Sequence, residues 1–164
     1  MKVSLNSTEK RLVEFLAKKR IQANRKNDIP DEQVGDQDKL EMEINGLGGE
    51  LAFCKASNTY PDLSTSGQPG TRPKADTKLF GSLWDVKTTD REDGRLLVRP
   101  AKIGQKACEY YVLVIGKMPN YRIVGWIHAS DLFWPHNLKD LGYGKTYVIE
   151  QDQLKQVGWL KELG

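Results

Sequence analysis

Two stretches of the chain place acids and a lysine where they could act together: Asp76, and Asp85-Val86-Lys87 after eight intervening residues. In a strand, residues two apart share a face. Over 83–89, Leu83, Asp85, Lys87 and Thr89 therefore point one way, and Trp84, Val86 and Thr88 the other. Phe80-Gly81-Ser82 reads as the turn of a hairpin joining 76–79 to 83–89. A two-residue loop at Gly81-Ser82 sets Asp76 opposite Lys87, and one at Phe80-Gly81 sets it opposite Asp85. A three-residue loop would set Asp76 opposite Val86, on the wrong face. The two-residue registers thus gather two carboxylates and one ammonium on a single patch. Like charges paired across a sheet repel, so the patch invites a divalent cation as well as Lys87. Two carboxylates, a backbone carbonyl and retained water suit Mg²⁺, and a neighbouring lysine can hold or activate a water and offset charge on a phosphate.

This arrangement resembles the core motif of the PD-(D/E)XK nuclease superfamily, in which an Asp precedes a hairpin turn and an (Asp/Glu)-x-Lys follows it. Here the residue before Asp76 is Ala75 rather than Pro. Upstream, Gly48-Gly49-Glu50-Leu51-Ala52-Phe53 is similar to that family's first helix with its acidic ligand, entered through a glycine-rich turn. Downstream, Gln105 ahead of Tyr110-Tyr111-Val112-Leu113-Val114 is similar to the helix-then-strand carrying an auxiliary Gln in some members. The matched part covers 45–130. The resemblance implies a restriction-endonuclease-like fold and hydrolysis of DNA with Mg²⁺ or Mn²⁺, leaving 5′-phosphate and 3′-hydroxyl ends. It further implies that Asp76 and Asp85 bind the metal by carboxylates and Val86 by its carbonyl, with Glu50 reaching the same ion directly or through water. Lys87 would position the hydrolytic water, and Gln105 would contact Lys87 or the phosphate. Its compact phage and bacterial members often act as dimers, which makes a homodimer one expectation. A second Pro-Asp pair, Pro61-Asp62, has no strand around it and ranks below Asp76.

The elements that must position these residues follow from periodicity and turn chemistry. A helix is expected over 6–24, capped by Asn6 with Glu9 returning the bond and with Val13, Leu16, Ala17 and Ile21 at helical spacing. A loop follows over 25–38. A second helical region begins near Lys39 and ends near Ser57-Asn58, carrying Glu50 beside an apolar stripe of Leu47, Leu51 and Cys54. Gly46, Gly48 and Gly49 each cost about 1 kcal/mol in a helix. Either a fresh helix starts after Gly49 or another backbone approaches closely. Residues 59–75 read as a long Pro/Gly/Ser/Thr-rich loop. Strands are expected over 95–99, 110–116 (of the buried type), 121–127 and 147–149, with short helices over 101–109 and from 152 to about 163. The order implies an α/β domain spanning 1–164, a mixed central β-sheet flanked by helices on its faces.

Composition sets the outer bounds. The 164 residues include 38% hydrophobic and 29% charged side chains and only two cysteines. The longest aliphatic run, Val112 to Ile115, falls far short of the ~20 residues of a membrane span. No signal peptide is visible, and two cysteines without a CxxC pair favour a reducing, intracellular (cytoplasmic) setting. Net charge is +3, spread as +6 over 1–26, −7 over 27–50 and +4 over the rest. A basic arm beside an acidic stretch suits a polyanion partner such as DNA, and the basic helix itself could track phosphates. His128 and His136 have no ligand-spaced partner and are assigned to packing or solvent. Cys54 and Cys108 are expected on helices as inert thiols. Of the four tryptophans, only Trp134 is singled out as a stacking surface. The alternative to an endonuclease is a non-catalytic nucleic-acid-binding module on a nuclease fold. A structural protein with coincidental acids is a third reading.

Overall fold

The computed structural model describes residues 1–26, 38–64, 75–100 and 108–162. In chain order its elements are β1 (Lys2–Ser4), α1 (Ser7–Lys26), α2 (Lys39–Ser57), β2 (Thr77–Leu79), β3 (Ser82–Thr89), β4 (Leu96–Val98), β5 (Tyr110–Lys117), β6 (Asn120–His128), α3 (Ala129–Leu132), β7 (Leu138–Asp140) and β8 (Lys145–Ile149). Helix α1 opens on the expected capping box. The Asn6 side chain accepts from the amides of Thr8 and Glu9, both at 2.9 Å, and Glu9 accepts from the Asn6 amide at 2.6 Å.

The central sheet has the order β1-β6-β5-β3-β2. It is mixed, because β3 and β5 run parallel while the other neighbours are antiparallel. Helices α1 and α2 cover one face, where Val13, Ala17, Leu47 and Phe53 pack with Trp84, Val86, Val112 and Val114. The mixed sheet flanked by helices is as expected, but on the other face the short helix α3 shares the cover with a second sheet. That sheet, β4-β8-β7, brings Leu96, Val98 and Ile149 over Tyr111, Leu113 and Ile115. Strand β5 is thus buried on both sides, as its unbroken apolar run requires. Among the described residues no helix is long and apolar enough to cross a membrane.

Helix α2 runs unbroken through its glycines, so the helix does not begin after Gly49, and the glycine-rich turn implied by the family resemblance is absent. Side chains, not another backbone, make the close approach. A Cβ at Gly48 would stand 2.0 Å from the Tyr121 hydroxyl oxygen, and one at Gly49 would stand 2.0 Å from Thr88 Oγ1. The propensity cost of two glycines is offset by seating α2 directly on β3 and β6.

Three further expectations change. Glu109 does not end a helix: its amide donates to the Leu83 carbonyl at 3.0 Å, extending the parallel ladder, and Cys108 is buried and not helical. Residues 101–107 lie outside the described residues, as do 27–37 and 65–74 of the two expected loops. The expected C-terminal helix is replaced by short 3-10 turns at Gln151–Gln153 and Gly158–Glu162. Between them Lys155 trades both backbone hydrogen bonds with Trp126, at 2.8 and 2.9 Å. That bridge holds the backbone extended where a helix would need it wound.

Candidate active site

The hairpin selects one of the two expected registers. Leu79 pairs with Ser82 and Thr77 with Trp84, so Phe80 and Gly81 form the loop, both at positive φ (53° and 84°), the primed turn that matches strand twist. Extending this register puts Asp76 across from Asp85. Asp76 sits just before β2, where its amide donates to the Trp84 carbonyl at 2.9 Å. Its carboxylate then replaces a backbone partner: Oδ2 accepts from the Val86 amide at 2.6 Å. Val86 turns its own side chain into the helix-side core.

Asp85 and Lys87 lie on the opposite face of β3, as strand parity demands. The Asp85 carboxylate is 12% exposed and in contact with the Lys87 ammonium, whose side chain is 30% exposed. Burial first, then the Asp85 charge, holds the Tyr111 hydroxyl well above its ordinary range. Burial works against the Lys87 ammonium, but Asp85, Asp76 and Glu50 outweigh it and hold its pKa above the usual value. Burial and the Asp85 charge push Asp76 up to about 6. Glu50 is raised well above the carboxylate range by burial and by Asp76, with Arg20 opposing.

Arg20 is a member of the site that the sequence did not single out. Its guanidinium stands 3.6 Å from Glu50 and 3.7 Å from Glu43, and it donates to the carbonyls of Asp62 and Ser64 at 3.1 and 3.2 Å. The only available signal was one cation among eight in the first 26 residues, and charge alone does not say which of them turns inward. Asp62 serves the same junction. Its amide donates to the Asp76 carbonyl at 2.9 Å, and its carboxylate accepts from the Ser64 amide at 3.0 Å. Pro61-Asp62 is thus a loop clamp behind Asp76.

Glu50, Asp76, Asp85 and Lys87 therefore belong to one charged network, each acid with a protein partner: Arg20, the Val86 amide and Lys87 in turn. Gln105 lies outside the described residues. Among the described residues no three His, Cys, Asp or Glu side chains form a closed metal-ligand cluster. The donors nonetheless fit a hard divalent ion in type, being carboxylate oxygens that Mg²⁺ prefers. The raised proton affinity of Asp76 and Glu50 comes first from burial and second from neighbouring carboxylates, and a bound cation would oppose both. The remaining candidates fall elsewhere. His128 caps α3, its Nδ1 accepting from the Ser130 amide at 3.1 Å. Trp134 is 56% exposed beside His136, and Trp84 is buried in the helix-side core.

The network makes a pH-dependent contribution to stability whose sign can be worked out. With Asp76 raised from 3.8 to about 6, the folded chain keeps a proton that the unfolded chain releases. Stability from this group is therefore lost as pH rises between about 4 and 6. Asp76→Asn keeps an acceptor for the Val86 amide without the charge. Its urea midpoint should gain on the wild type across that window, and a difference that stays flat or reverses would contradict the assignment.

No known protein family, curated protein or solved structure matches the chain.

Proposed function

We propose that the chain is a Mg²⁺- or Mn²⁺-dependent deoxyribonuclease of the PD-(D/E)XK type, an endonuclease that leaves 5′-phosphate ends. The supporting observation is that Asp85 on β3 contacts the Lys87 ammonium while Asp76, before β2, is hydrogen-bonded to the Val86 amide between them, with Glu50 on α2 near enough to act on Lys87 and Asp76 electrostatically. Asp76 and Asp85 would hold the ion by their carboxylates and Val86 by its carbonyl, with Glu50 directly or through water. When bound, such an ion polarises a phosphate and makes a water more acidic.

The chain's own residues supply the rest. Lys87 stays protonated in this network, so it acts as a hydrogen-bond donor that orients a water and neutralises a phosphate oxygen, not as a base. Asp85 fixes that ammonium. The Val86 amide holds the Asp76 carboxylate in one orientation, and Arg20 does the same for Glu50. A restriction-endonuclease-like fold, DNA as partner, a homodimer and an intracellular site of action belong to the same proposal.

The second reading, a nucleic-acid-binding module without catalysis, draws on the fact that every acid here already has a protein partner. Plasmid nicking separates the two. Supercoiled DNA with Mg²⁺ or Mn²⁺ should be converted to open-circle and linear forms, and EDTA should stop the conversion. DNA retained in a gel shift but never nicked would favour the binding module.

A further inference from the structure

The two sheets do not close on each other along their whole length. Beyond the Lys87 end of β3 they leave an open cleft of about 720 Å³, lined by Lys87, Thr89, Arg91, Arg95, Leu97 and Tyr143 among others. We infer that this cleft seats a single strand of DNA, with a base stacked on Tyr143 and the backbone led past Arg95 and Arg91 to Lys87.

Three observations carry this. The first is size. The volume is that of a cleft for small organic ligands, ~300–1,000 Å³, which suits a short stretch of one strand. The second is the state of the cations. Arg91 is paired with Asp93 at 3.1 Å and Arg95 with Glu150 at 3.5 Å, all four side chains at least 40% exposed. Exposed pairs of this kind contribute only ~0–1 kcal/mol, so a phosphate can take the place of either carboxylate. The third is the aromatic. Tyr143 is 50% exposed and stands in the turn between β7 and β8, flanked by Gly142 and Gly144, both at positive φ (89° and 109°). The Gly142 amide donates to Asp140 at 2.9 Å. A large ring held out at the cleft by its own turn serves no core, and an aromatic face stacks any base without reading sequence.

The inference rests on the proposed nuclease reading for the direction of the strand, toward Lys87, and its test keeps the two apart. The probe is a fluorescein-labelled DNA of about 16 nucleotides, near the upper site size of one single-strand-binding fold. Its anisotropy is read as single strand and as duplex, with the full chain and in EDTA so that no cut intervenes. The single strand should bind at least about tenfold more tightly than the duplex, and Tyr143→Ala should weaken it about tenfold, within the range of one stacking contact. Arg95→Ala should flatten the salt dependence by ~0.7 in log–log slope, the loss of one phosphate contact. Duplex bound as tightly as single strand, or Tyr143→Ala without effect, would overturn the inference. Single-strand binding as described but no cleavage of that same single strand with Mg²⁺ or Mn²⁺ would overturn the nuclease reading alone. EDTA-sensitive nicking without the strand preference would overturn the cleft assignment alone.

Discussion

Asp85→Ala and Lys87→Ala should each lower metal-dependent DNA cleavage by at least ~10²–10³, the loss typical of removing one preorganised charge-stabilising group. The two variants fail for different reasons. Asp85→Ala removes a carboxylate that would hold the proposed ion and frees the ammonium it steadies. Lys87→Ala removes the donor that, on the proposed mechanism, would meet phosphate and water. Their effects on the fold should differ too. Without Asp85, the Lys87 side chain, already 30% exposed, can turn into the open cleft and be hydrated. Without Lys87, Asp85 is left 12% exposed with no cation beside it, and breaking such a pair from the cationic side is the costly direction. Circular dichroism and urea melts should therefore show Asp85→Ala close to the wild type and Lys87→Ala weaker but folded. The double variant Asp85→Asn/Lys87→Met, which strands no charge, should recover stability and stay inactive. Wild-type cleavage by both single variants would refute the site.

The largest effect on stability is expected at the contact between α2 and β3. Gly49→Ala places a Cβ 2.0 Å from Thr88 Oγ1, 2.8 Å from its Cγ2 and 3.0 Å from its Cβ. No rotation of one side chain relieves all three contacts, so the helix must lift from the strand. Overpacking of this kind costs about 1–3 kcal/mol, or roughly 2–4 °C of Tm per kcal/mol for a chain of this size. Because Glu50 is the next residue, lifting α2 also moves it away from Asp76, so cleavage should fall along with Tm. Thr88→Ala removes the two nearer atoms and should restore part of both in the Gly49→Ala background, a coupling that thermal melts of the double-mutant cycle would measure. Additive losses would mean that the contact is not what holds α2 down.

The parts of this structure that could be read from residues are those fixed by local geometry. Strand parity and a two-residue loop are enough to bring Asp76 to the patch of Asp85 and Lys87, though not to choose between the two registers, because both operate within a dozen positions of chain. The Asn6–Glu9 cap and the apolar run of β5 are equally local. What escaped depends on partners far along the chain. Arg20 reaches Glu50 only because α1 packs on α2, and nothing in a helix crowded with cations marks the one that turns inward. Strand β7 has three residues, too few for a periodic signal, and it becomes a strand by pairing with β8. The tail after Ile149 has helix-forming residues, but the Trp126 bridge claims its backbone. Tyr143 is not singled out by its sequence, because a tyrosine between two glycines carries no signal until the fold sets it on the cleft.

Strand β4 leaves the central sheet between two parallel neighbours and finds its partner in β8, with Leu96 opposite Ile149. A ribosome delivers Asp76, Asp85, Lys87 and the helices that back them well before it delivers that partner. Emerging chains can begin to order the acidic network while β4 still waits, and the groove wall that carries Tyr143 is finished last. The residues of the charged centre are thus translated ahead of the strand that completes the cleft wall.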